Sequence, residues 1–325
     1  MNILASHKKS TERWLTVLAC IIAAVLFIQA DSTSSLAAGV PQKSFTSPQE
    51  AVNALVAASR AEDLKELSII GGPGSKALIF SGDEAADRVG RQKFLKAYDQ
   101  KNSLEQVSAT KAVLHIGNDD WPMPVPIVKK GAAWVFDARA GKQEILNRRI
   151  GRNELHIMDF LQVYVDAQHE YATKDCKGDG SVEFAQKMIS TEGKHDGLYW
   201  ETKAGEELSP LGPLVAQATK EGFANENLSP FHGYYFKILK GQGKHAKGGN
   251  YNYVVKGKMI LGFALVAYPA QHGNSGVMSF IVNQDGTIYE KNLGKHTKRL
   301  AEGLKIFDPD KTWKNVSETS PQPGQ

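Results

Sequence analysis

The sequence predicts an α+β protein of two tandem domains. Helices and an antiparallel meander come first, and one long helix packed on a small antiparallel sheet follows. Three observations carry this. Helical spacing gives way to period-two alternation near residue 101. A long amphipathic pattern then starts at Asn153, with Ile157, Met158, Leu161, Tyr164, Val165, Tyr171 and Ala172 in one stripe that only Gln168 interrupts. Short apolar runs separated by Gly257-Lys258 and Asp285-Gly286 turn signals close the chain.

Residues 1–30 are expected to lie outside the fold. Lys8, Lys9 and Arg13 precede an apolar run from Trp14 to Ala30, between a signal-peptide core and a minimal membrane span in length. Small residues at Ala30 and Ala37 suit cleavage. The expected location is periplasmic or secreted, the alternative being an inner-membrane anchor facing the periplasm, with the membrane touched only through residues 14–30. Cys20 resembles a lipoprotein cysteine only superficially, because the apolar run continues past it to Ile28. Beyond the leader only Cys176 remains, so no internal disulfide is possible in a cleaved chain. Without the leader's charges the net charge falls from +4 to +2, and no basic stripe appears, so nucleic-acid binding has no support.

Residues 31–44 read as a Ser-rich linker and 45–149 as the first domain. Ser47-Pro48-Gln49-Glu50 carries a capping box ahead of AVNALVAASRA. LKELSII then ends at Gly71-Gly72-Pro73-Gly74. A third helix is expected from Asp83 to Gln100, with Ala86, Val89, Phe94, Leu95 and Tyr98 inward. Strands are expected over 106–116, 121–129 and 132–138, with Lys130-Gly131 turning the last pair. Pro122, Pro124 and Pro126 alternate, which suits an edge strand or an extended segment.

Residues 150–316 read as the second domain, with an inserted loop at 190–231 that holds a short helix near 213–221. Strands follow at 234–240, 251–256, 259–268, 277–283 and 287–290, and a helix at 297–306. The tail, residues 317–325, is polar and reads as disordered.

The segments EILNRRIGRNEL, YVDAQHEYA, KHDGLYW, FHGYYFKIL, GFALVAYPA and GVMSFIVNQDGTIYEKNLG, with FTSPQEAV and NDDWPMPVP, fall in one order and spacing. In them the chain resembles the bacterial family known as domain of unknown function 2950, from Phe45 to Trp313. That resemblance implies an exported bacterial protein and brings no activity with it. Three helices and a meander closing on WVFD make the first domain resemble nuclear transport factor 2-like cones. Residues 153–290 resemble the globular part of type IV pilin-like proteins. Here another domain precedes the long helix, so the apolar half that packs a pilus is missing and assembly into a pilus is not expected.

The chemical motifs are incomplete. Asp175, Asp179 and Gly180 match EF-hand positions 1, 5 and 6, and Glu183 falls at position 9. Lys177 and Gln186 stand where position 3 and the bidentate position 12 need oxygen anions, so a tight turn is the better reading; no cofactor is expected, and calcium should bind weakly or not at all. His169-Glu170 lacks the second histidine of a zinc-protease helix, because Thr173 stands there. Ser275 is not in a G-x-S-x-G elbow. The loop of residues 193–200 gathers His195, Asp196, Tyr199 and Trp200, which with His232 form the candidate ligand site. The expected function is a non-catalytic envelope module that binds a partner protein or small ligand. The alternative is an envelope hydrolase with His195, Asp196 or His232 in its site.

Overall fold

A computed structural model of the chain describes residues 41–80, 84–174, 180, 182–202, 205–206, 208–215 and 230–319. The expected leader, most of the linker, Asp175, Cys176, Asp179 and the end of the tail lie outside the described residues. The protein is α+β with antiparallel sheets, as the sequence predicts. The chain divides into two units between Glu144 and Ile145. Among the described residues no helix is long and apolar enough to cross a membrane.

The first unit opens with α1 (Pro48–Arg60). Ser47 Oγ accepts the Glu50 N–H at 3.1 Å, and the Glu50 carboxylate reaches back to the Thr46 N–H at 2.7 Å. The capping box therefore closes one residue further upstream than its usual form. Asp63 caps α2 (Leu64–Gly71) through the Glu66 N–H. Then come α3 (Lys76–Ile79) and α4 (Glu84–Gln100). Val89 does not face inward as expected, being 48% exposed. Phe94 and Leu95 pack on the core, and Arg91 lies one turn before Leu95.

The sheet of this unit runs in the order β1 (Asn102–Ser108), β2 (Lys111–Ile116), β4 (Ile127–Lys130), β5 (Ala133–Phe136), with the two-residue β3 (Trp121–Pro122) also on β2. The single strand expected at 106–116 is thus a hairpin. Its turn holds neither Gly, Asn nor Pro, and Ser108 Oγ accepts the Thr110 N–H in their place. The last hairpin turns through Gly131 (φ +63°) and Ala132, not Lys130-Gly131. Phe45 exchanges two backbone hydrogen bonds with Trp134 and extends the sheet beyond β5. The core holds Val52, Val56, Leu67, Ile70, Leu114, Ile127 and Phe136.

The long helix, α5 (Ala138–Thr173), begins fifteen residues before the expected start at Asn153. Asp137 is its cap: one carboxylate oxygen accepts the N–H groups of Arg139 and Ala140. The helix runs through Gly141, where a Cβ would sit 2.6 Å from Val125 Cγ2, and through Gly151.

In the second unit the stripe lies where the sequence places it. Ile157, Leu161, Tyr164, Val165 and Tyr171 are buried. The interrupting Gln168 is fully buried too. Its amide nitrogen donates to Tyr164 Oη (3.0 Å) and the Ala185 carbonyl (2.9 Å), and its oxygen accepts the Ala185 N–H (2.8 Å). The five-stranded sheet has the order β14 (Lys314–Asn315), β13 (Tyr289–Lys291), β12 (Ser279–Asn283), β11 (Ala264–Pro269), β6 (Tyr234–Leu239), all antiparallel. Short strands β7 (Gly241–Gln242) with β8 (Tyr251–Asn252), and β9 (Val254–Val255) with β10 (Lys258–Met259), form two ribbons. The β9–β10 turn centres on Lys256 (φ +52°) and Gly257 (φ +83°), one residue earlier than Gly257-Lys258.

Every residue of β11 is buried, which requires cover on both faces of the sheet. Phe236, in register with Ala267, meets α5 through Phe160 at 4.4 Å between ring centroids. On the opposite face Tyr235 lies beside Tyr268 and under Lys298 of α6 (Thr297–Gly303). Lys237 Nζ donates to the Glu302 and Leu304 carbonyls at the end of α6, where a cation offsets the helix dipole.

Candidate functional site

The side chains of the 193–200 loop are engaged in building the loop. Burial alone would raise the Asp196 pKa. Hydrogen bonds from Lys187 Nζ (2.7 Å), the Thr191 N–H (2.7 Å) and Thr191 Oγ1 (3.0 Å) outweigh it, and the pKa falls to about 2. A carboxylate so held neither takes a proton at neutral pH nor is free to bind a cation. His195 is exposed and stacks on the half-buried Trp200, centroids 4.2 Å apart and planes at 15°. The His195 carbonyl accepts from Tyr171 Oη at 2.7 Å. Tyr199 pairs in register with Ile189 through the Ser190 and Tyr199 N–H groups.

His232 lies elsewhere. It and Gly233 adopt φ +43° and +76° between Phe231 and Tyr234, which exchange both backbone hydrogen bonds. This is the geometry of a two-residue hairpin turn of type I′. Glycine is required at the second position, because a Cβ there would stand 2.6 Å from Ser275 Cβ. The His232 Nδ1 is 3.1 Å from His156 Nδ1. His156 and Tyr171 are fifteen residues apart on α5, about 22 Å along its axis at 1.5 Å per residue. His195, tied to Tyr171, and His232, tied to His156, therefore do not converge. Ser275 Oγ bonds within its own turn, to the N–H and carbonyl of Gln271. The constellation of a hydrolase does not assemble from these residues.

Of the calcium candidates, Asp175 and Asp179 fall outside the described residues, and Glu183 is buried at 3% exposure. Among the described residues no three His, Cys, Asp or Glu side chains gather in a metal-binding group.

A site that the sequence reading did not locate lies in the first unit. Two adjoining cavities, of about 180 and 290 Å³, open between α1, α2, α3, α4 and the sheet. Leu55, Leu67, Leu78, Ile79 and Met123 line both. The inner one is closed by Ile70, Leu114, Val125 and Phe136. The outer one reaches Asp87, Gly90, Arg91 and Phe94 on α4. An apolar chamber with few polar groups is the usual form of a small-molecule site. The one sign in the sequence is the pair Gly90-Arg91, a helix breaker beside a half-buried cation in an otherwise regular helix.

No curated protein and no solved structure is matched by the chain. A family model described as "Protein of unknown function (DUF2950)" matches residues 42–316. The chain belongs to that family.

Proposed function

We propose that this member of the family is a non-catalytic binding module that works outside the cytoplasm. Its ligand site is the apolar chamber of the first unit, not the 193–200 loop. The observation that carries the reading is that chamber: side chains from α1, α2, α3, α4 and the sheet line it without filling it. The cleft opens to solvent and leaves Leu55, Leu78, Ile79 and Met123 only half-buried. An apolar occupant would complete their burial. Export is supported by Lys8, Lys9 and Arg13 ahead of the apolar run to Ala30.

Titration with the neutral fluorescent probe N-phenyl-1-naphthylamine tests the binding reading. One saturable site is expected, and Leu78→Trp, which adds bulk where the two cavities meet, is expected to abolish it. Unsaturable binding, or binding untouched by Leu78→Trp in a folded protein, would overturn it. Mass spectrometry of the N-terminus tests export: a chain beginning after Ala30 or Ala37 supports it, and an intact Met1 in the cytosol refutes it.

A further inference from the structure

We infer that the ligand of this chamber is a single-chain anionic amphiphile, a medium-chain carboxylate, with its tail in the inner cavity and its carboxylate at Arg91. This deepens the binding reading above and rests on it.

The polar groups around the chamber can be accounted for one by one. Ser75 Oγ donates to the Gly72 carbonyl at 2.7 Å, and Ser59 Oγ to the Leu55 carbonyl at 2.7 Å. Both hydroxyls are thus already satisfied by backbone. Arg91 differs. Its Nε is buried and has no hydrogen-bond partner, and among the described residues the guanidinium makes no ion pair. Arg88, one turn away on the exposed face, does find a carboxylate, Glu62 at 3.9 Å. A buried N–H of a charged group left without an acceptor is costly. An arginine in that state beside an apolar chamber matches a carboxylate, which its planar fork binds in a fixed geometry.

Gly90 gives a second, independent indication. Glycine inside a helix is less favourable than alanine. Gly90 is exposed, and a Cβ built on it meets nothing within 4 Å, so its place is not set by a close approach of backbone or side chain. It lies on the lining of the outer cavity, next to Arg91. Its missing side chain leaves the way to the guanidinium open. The small inner volume suits one short chain and has no room for the two chains of a membrane lipid. Asp87 shares the lining, one turn from Arg91, and its charge should weaken binding of an anion.

The test compares octanoate, 1-octanol and octylamine by calorimetry on the whole protein. Octanoate is expected to bind at least tenfold tighter than octanol, and octylamine weakest. Arg91→Met should bring octanoate down to the level of octanol and leave octanol unchanged. Asp87→Asn should tighten octanoate alone, which keeps the test valid if Arg91→Met fails to fold. Gly90→Leu should weaken octanoate and not lower the melting temperature. Equal binding of octanoate and octanol would overturn the inference and leave the binding reading intact. An octanoate preference that survives Arg91→Met in a folded protein would also overturn it. Failure of all three, together with the neutral probe, would instead remove the binding reading itself.

Discussion

Replacing Gln168 by Leu removes the one polar residue in the buried stripe of α5 and should make unit two less stable, not more. The volumes are close, so little cavity is created. Leucine would also be the better helix former and the more apolar side chain. Against this stands the geometry. Gln168 holds both backbone groups of Ala185, itself 1% exposed, at 2.8 and 2.9 Å. Leucine leaves a buried N–H and a buried carbonyl without these partners, each worth about 1–3 kcal/mol. The expected loss is about 2–5 kcal/mol, a large part of an ordinary domain's stability. Urea unfolding followed by tryptophan fluorescence and far-ultraviolet circular dichroism measures it, with the midpoint lowered and the slope unchanged. Tyr164→Phe, which removes only the hydroxyl that Gln168 touches, should cost about 1 kcal/mol, and its effect should shrink in the Gln168→Leu background. A loss under about 1 kcal/mol for Gln168→Leu would refute the argument. It would mean that the amide merely tolerates its place in the core.

Leu161→Ala, at a fully buried position facing the sheet, should cost about 2–5 kcal/mol in the same assay, whereas the exposed His195→Ala should stay within about 0.5 kcal/mol. Asp196 has a folded-state pKa of about 2, below its unfolded value near 3.8, so its stabilisation is complete above about pH 4 and lost as pH falls toward 2. Acid titration of Asp196→Asn should lack that component, and an unchanged acid profile would count against the clamp. His115 has a raised pKa, chiefly from its bond to the Asp120 carbonyl and then from Glu105, so its contribution is full below about pH 6.5 and fades as pH rises through the folded value. Imidazole titration by nuclear magnetic resonance should place it above an exposed histidine, and Glu105→Gln should lower it.

What was legible in the sequence follows from the range of the forces involved. The α5 stripe is a local periodicity, and Ile157, Leu161 and Tyr164 are buried as that pattern requires. Gln168 breaks the pattern because its partner, Ala185, is 17 residues away in sequence, beyond the reach of any local rule. The early start of α5 lies across Gly141 and Gly151, two poor helix formers, although Asp137 stands in the capping position. The Ser108–Lys111 turn was missed because a serine side chain does what Gly or Asn usually does there. Residues 193–200 drew notice by composition alone, and the contacts of Asp196 and Trp200 show polar and aromatic groups spent on holding a loop together. The chamber was out of reach for the opposite reason. Leu55, Leu67, Leu114 and Met123 are ordinary apolar residues in ordinary positions, and only their assembly leaves a space.

The burial of β11 on both faces also sets a timetable. Its first cover, α5, is synthesised well before it, but its second, α6, only after it. A nascent polypeptide therefore carries Val266, Tyr268 and Ile281 bare on one side until Thr297–Gly303 has emerged. Until then the sheet is a half-finished surface of the kind that chaperones and proteases recognise. Chains that terminate before α6 should be cleared and not accumulate.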